Sequence, residues 1–201
     1  MEILDMIKSP EELLQFMNNN IKYGFVGKNG KKYTNMYSPD WNDWYQVCYV
    51  QNARDVLNSK IGTCWDQVEL ERAWFEKNNY AFKTIFIWFE VYGENDLPSH
   101  TFLIYEKDGK YYWFEHAFES FKGIHEFNSE HEAIEFVKEK QFEFALKNSK
   151  NAKLEDRAYL MTYEYSKPKD HLDVDEYLMH VTSNKYSENK HLWKSYLYII
   201  V

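Results

Sequence analysis

A thiol, an imidazole and a carboxylate stand in chain order at Cys64, His100 and Glu115, and local signals place each of them. Gly62-Thr63-Cys64-Trp65-Asp66 reads as a helix start. Gly62 is a punctuator, the Thr63 hydroxyl can accept a free N–H of the first turn, and Asp66 completes a Thr-x-x-Asp capping box. Val68, Leu70, Ala73, Trp74 and Phe75 then carry a helix from Cys64 to about Asn78. A first-turn thiol faces the positive end of the helix dipole, which favours the thiolate and so a nucleophile at neutral pH.

The imidazole and the carboxylate fall on the two arms of one hairpin. Asp108-Gly109 lies between two aromatic-rich runs that start at Ser99 and end at Glu115, a strong two-residue turn signal. With Lys107 facing Lys110, Phe102 opposes Glu115 and His100 opposes Ala117. The two-residue period then sends His100, Phe102, Glu115 and Ala117 to one side. His100 and Glu115 become diagonal neighbours, about 7–8 Å apart at Cα and within reach of a carboxylate–imidazole hydrogen bond. An acid so placed fixes the tautomer of a base and stabilises its protonated form. Nucleophile, base and orienting acid together are the parts of an acyl-transfer site. His116, on the opposite side of its strand from Glu115, is the alternative imidazole.

Gly62-x-Cys64-Trp65, a following helix and strand, then His100 with an Asp-Gly-Lys turn and an acid fifteen residues later resemble the transglutaminase-like superfamily. Ile21-Lys22-Tyr23-Gly24 and Asp55-Val56-Leu57-Asn58-Ser59-Lys60-Ile61-Gly62 are similar to that family's entry into its cysteine helix. The resemblance covers roughly residues 11–118, and 119–201 form a C-terminal α/β extension of the same single domain. It implies that Cys64 is the nucleophile, His100 the base and Glu115 the third member. Two positions depart from the family pattern: the acid is Glu where Asp is usual, and Thr101-Phe102 follow His100 where Ala-Trp is common.

The rest of the chain must position these groups. Its 201 residues are enough for one domain with a sizeable core. With 19% aromatic and 28% charged residues, it is neither disordered nor fibrous. No apolar run approaches the ~20 residues of a membrane span, and Met1-Glu2-Ile3-Leu4-Asp5 lacks the start of a signal peptide. Two cysteines without such a signal suit a reducing, cytoplasmic setting, and with scattered histidines they make a poor zinc site. A net charge of −8 disfavours nucleic acid as a partner. No glycine-rich phosphate loop points to a cofactor.

Ser9-Pro10-Glu11-Glu12 starts a helix that ends at Asn18-Asn19-Asn20. Residues 21–39 read as loop, with a Lys28–Lys31 turn able to close a short hairpin. A helix is expected from Asp40 through Val47, Val50 and Val56 to about Asn58, with Cys48 inert in its middle. Trp41 or Trp44 could wall a substrate cleft, and Gln46, Gln51 or Asn58 could lend an oxyanion donor beside the Cys64 N–H. Phe82 to Tyr92 suits a central strand, and Gly93–Pro98 a loop next to His100. Ser129-x-x-Glu132 caps a helix to about Asn148, and Arg157–Ser166 is a strand. Asp170–Asp175 leads into a helix to about Val181, and Leu192–Val201 reads as a final strand.

The order of elements predicts an α+β domain with N-terminal helices on an antiparallel sheet. The cysteine helix is expected on the sheet face that bears His100 and Glu115. The chemistry expected is cysteine-dependent acyl transfer on a peptide or protein amide, hydrolytic more than transamidating. The competing expectation is a binding module that keeps the scaffold without the reaction.

Overall fold

The longest apolar run in the sequence becomes the longest strand, and the sheet is assembled on it. The computed structural model describes residues 2–35, 38–39, 41, 44–91, 99–148, 158–183 and 185–187. β5 (Ala81–Val91) lies inside a six-stranded sheet that also holds β6 (Ser99–Lys107), β7 (Lys110–Glu115), β8 (Gly123–Phe127), β9 (Ala158–Glu164) and β10 (Lys185–Ser187). The strand order is β10-β9-β5-β6-β7-β8, and every pairing is antiparallel. With helices on this sheet, the architecture is α+β, as the order of elements predicts.

The β6–β7 hairpin keeps the expected register, Lys107 opposite Lys110 and Leu103 opposite Phe114. Asp108 (φ 53°) and Gly109 (φ 75°) both take left-handed backbone, the geometry of a tight two-residue turn that suits the strands' twist. Alternation along the strands gives the sheet two buried faces. On one face, Phe86, Leu103, Tyr105 and Phe114 pack under α5 (Cys64–Lys77) through Val68, Leu70, Trp74 and Phe75. On the other, Ile85, Ile87, Phe102, Ile104 and Trp113 pack under α6 (Glu130–Asn148) through Ala133, Ile134 and Val137. The Ser129 hydroxyl accepts the Glu132 N–H at 3.1 Å and starts α6 where the sequence predicts.

The N-terminal segment fastens α5 from outside. α1 (Glu2–Met6) is followed by α2 (Pro10–Asn20), whose Ser9 cap accepts the Glu12 N–H, and Trp74 Nε1 donates to the Ile7 carbonyl at 3.2 Å. β1 (Lys22–Tyr23) runs parallel to β4 (Ile61–Gly62), the two residues that lead into Thr63. β2 (Phe25–Val26) and β3 (Lys32–Tyr33) form the short hairpin around the Lys28–Lys31 turn.

Two expectations are corrected. The helix expected over 40–58 is two, α3 (Trp44–Val47) and α4 (Ala53–Ser59). Cys48 bridges to Gly27, the Val50 N–H goes to Leu172 O, and Asn52 accepts the Asp55 N–H at 3.0 Å. The Val47 carbonyl, which accepts the Lys28 N–H, and the Val50 N–H are thus satisfied outside a helix, so Asn52 caps a new one instead of continuing the old. Cys48 is therefore buried beside a β-bridge, where burial pushes its thiol up. Second, α5 does not cover the face that bears His100 and Glu115; it covers the face of Leu103 and Phe114. Gly123–Phe127, a segment without an assignment in the sequence reading, is the edge strand β8. α7 (Val174–Val181) begins at the predicted Asp173, whose carboxylate accepts the Glu176 N–H at 3.0 Å. The Gly93–Pro98 loop and the Leu192–Val201 strand lie outside the described residues. No helix among the described residues is long and apolar enough to cross a membrane.

Phe75 is fully buried against Tyr105 and Phe114, so it ties α5 to the sheet. Phe75→Ala should cost about 3–5 kcal/mol in urea denaturation. A loss under about 1 kcal/mol would contradict this packing.

Candidate active site

Cys64 is the first residue of α5, and two side chains of its own helix lock that turn. Asp66 Oδ2 accepts the Thr63 N–H at 2.7 Å and the Thr63 hydroxyl at 3.0 Å, while Oδ1 accepts the Gln51 N–H at 2.7 Å. Burial holds the Asp66 carboxyl up to about 6, with these hydrogen bonds pulling the other way. Gln67 Nε2 donates to the Gly62 carbonyl at 2.7 Å, which turns Oε1 toward His116 Nδ1 at 2.6 Å. Burial pushes His116 down to about 4, so its ring is neutral near pH 7. Facing an acceptor oxygen, Nδ1 must carry the proton and donate. His116 thus braces the cysteine helix, and its Nε2 is buried without a partner.

His100 and Glu115 meet as the hairpin register requires. His100 Nε2 lies 2.8 Å from Glu115 Oε2, and both side chains are buried. Glu115 is held at both oxygens: Oε2 also accepts Trp113 Nε1–H at 3.1 Å, and Oε1 accepts the Phe118 N–H at 2.6 Å. The longer Glu is therefore fixed by three donors. The imidazole lies between Phe102, stacked at 5.9 Å, and the edge of Phe118 at 5.6 Å. Burial lowers the His100 pKa, but the Glu115 charge and the interaction with the Cys64 thiol outweigh it and carry it to about 10. With Nε2 committed to Glu115, Nδ1 is the ring nitrogen left for the sulfur.

The three predicted residues therefore converge, but not across one sheet face. His100 is the second residue of β6 and Glu115 the last of β7. Both side chains leave from the α6 face, shared with Phe102 and Trp113, while Cys64 arrives on the α5 side. Thiol and imidazole can meet only where the strands end.

Two further residues belong to this neighbourhood and were not singled out in the sequence. Glu71, two turns along α5 from Cys64 and on its side of the helix, is buried with Oε2 unpartnered. Burial first, and then the Glu115 charge, hold its carboxyl well above the usual range, so it stays protonated beside the ion pair. Tyr23 places its hydroxyl against Cys64. Neither had a legible signal: one sits mid-helix among charged residues, the other in a two-residue strand. Of the expected oxyanion donors, Gln46 and Asn58 are exposed, and Gln51 Nε2 is bonded to the Ile61 carbonyl at 2.9 Å. Trp41 stacks with Tyr23 at 6.4 Å, and Trp44 packs edge-on to Trp65 at 5.8 Å. Both thiols are free, and no group of metal-ligating side chains occurs among the described residues. No protein-family model and no curated protein matches this chain.

Chemically, the arrangement is a buried imidazolium–carboxylate pair next to a helix-terminal thiol. Because the folded His100 pKa is raised above its ordinary 6.5, the pair's stabilisation is complete below about pH 6.5 and is lost as pH rises through about 10. The stability gap between the protein and Glu115→Gln, measured in urea, should therefore shrink from pH 6 to pH 10. Histidine ¹⁵N spectra should show His100 titrating near 10 and His116 remaining neutral down to about 4. A His100 midpoint at 6.5 would mean that the pair does not form.

Proposed function

We propose that this protein is a transglutaminase-like cysteine hydrolase that works in a reducing, cytoplasmic setting on peptide or protein amides. The observation that carries the proposal is the buried 2.8 Å bond from His100 Nε2 to Glu115 Oε2, which leaves Nδ1 for the Cys64 thiol. The resemblance around Gly62-x-Cys64-Trp65 supports the same assignment.

The reaction follows from the groups present. Cys64 sulfur, as thiolate, attacks the amide carbon, and the carbonyl electron pair moves to oxygen. The tetrahedral adduct collapses, the carbon–nitrogen bond breaks, and the leaving amine takes the proton from His100 Nδ1. A thioester joins the acyl group to Cys64, and His100 is now neutral. Water gives a proton to Nδ1 as it attacks the thioester, and collapse returns the thiolate and the free acid. An amine in place of water would give transamidation. Glu115 keeps the ring oriented and stabilises its charge throughout. Glu71, being protonated, does not compete with Glu115 for the imidazolium.

Incubating the protein with peptide amides and activated esters and measuring the mass of Cys64 tests the chemistry directly. An acyl adduct is expected on Cys64, and none on Cys48. Cys64→Ala should abolish turnover with the fold intact, and Glu115→Gln should lower the rate by about 10²–10⁴. Turnover should fall as pH rises through about 10, where the proton for the leaving group is lost. Turnover retained by Cys64→Ala would end the proposal. Full binding of a ligand by Cys64→Ala, with no adduct ever detected on the native protein, would identify a binding module instead.

A further inference from the structure

We infer that Tyr23 is the side-chain oxyanion donor of this site: its hydroxyl, together with the Cys64 N–H, receives the oxygen that becomes negative when the thiolate attacks. The inference rests on the cysteine-hydrolase reading above and adds a group to it.

The placement comes from the backbone. β1 and β4 pair in parallel with Tyr23 opposite Gly62, two residues before the nucleophile, and the Gly24 N–H donates to the Gly62 carbonyl at 3.3 Å. Close approach is possible because residue 24 is glycine: a Cβ there would meet the Tyr33 carbonyl at 2.4 Å and Ile61 Cγ2 at 2.9 Å. The Tyr23 ring stacks on Trp41 at 6.4 Å with planes 18° apart, which orients the phenol. The residue is 38% exposed, and its hydroxyl interacts with the Cys64 sulfur.

The site needs such a donor. A tetrahedral adduct formed in a water-poor cleft requires hydrogen bonds aimed at its new oxyanion. The Cys64 N–H, a first-turn donor without an intrahelical acceptor, supplies one. Gln46 and Asn58 are exposed, and Gln51 is tied to Ile61, so none of the glutamine and asparagine candidates provides the second. Tyr23 offers a polar hydrogen beside the sulfur. Burial and the neighbouring Cys64 charge keep its hydroxyl protonated well beyond the usual phenol range, so it remains a donor wherever the thiolate exists.

Tyr23→Phe keeps the ring and its stacking but removes the O–H. Two reactions of Cys64 separate the possible roles. Acylation by p-nitrophenyl acetate builds an oxyanion, whereas alkylation by iodoacetamide at the same pH builds none. In Tyr23→Phe the acylation burst should slow by about 10²–10³, the usual effect of losing one oxyanion donor, with alkylation within about threefold of the native protein. Equal acylation in both proteins would overturn the assignment and leave the hydrolase reading standing. An equal slowing of both reactions would make Tyr23 an activator of the thiol and overturn it too. Failure of the native protein to acylate while it alkylates normally would reject the underlying reading and this inference with it.

Discussion

A charged imidazole buried beside a carboxylate, on a sheet packed on both faces, is the constraint around which this molecule is arranged. Taking an imidazolium and a carboxylate out of water costs several kcal/mol for each ion, and their attraction offsets this only where the remaining valences are filled. Here they are filled: Glu115 has the imidazole, the Trp113 indole and the Phe118 amide as donors. Phe102 and Phe118 enclose the ring and keep water from screening the pair. Glu71 stays protonated in the same region. A second ionised carboxylate there would divide the imidazolium's attraction and destabilise both acids.

The two faces of the sheet share the task. The α6 layer, with Trp113, Phe102 and Phe118 along it, holds the His100–Glu115 pair. The α5 layer carries Cys64, and its start is fastened in two directions: through Asp66 to Gln51, and through Gln67 to His116 on the strand end. His116 follows Glu115 directly, so one short segment of chain serves both halves from opposite sides of its strand. The neutral state of His116 matters for that brace, since only the Nδ1–H form satisfies the glutamine oxygen while Nε2 lies buried.

Much of this is legible in the residues. Thr63 and Asp66 announce the helix start, and Asp108-Gly109 fixes the hairpin register from which the His100–Glu115 contact follows. These signals are local, and local chemistry decides them. What is not legible depends on contacts distant in sequence. The break between α3 and α4 arises because the backbone over Val47–Gln51 is satisfied by Lys28, Leu172 and Asp66. Strand periodicity shows that His100 and Glu115 share a face, but not which helix covers it. Expecting the cysteine helix there assumes that three partners must share a face, whereas the strand ends allow them to meet from both. Tyr23 is the clearest miss: two residues of parallel ladder leave no periodic trace, and the residue acquires meaning only beside Gly62.

The two-sided arrangement has a consequence for how substitutions combine. The apolar clusters under α5 and under α6 are separate, so damage to each should add in folding free energy, as for independent sites. The gap between sulfur and nitrogen is not independent in that way, because each cluster positions one of its two ends. Small displacements on opposite faces would compound in that single distance, and reactivity would reveal an epistasis that thermodynamic stability conceals.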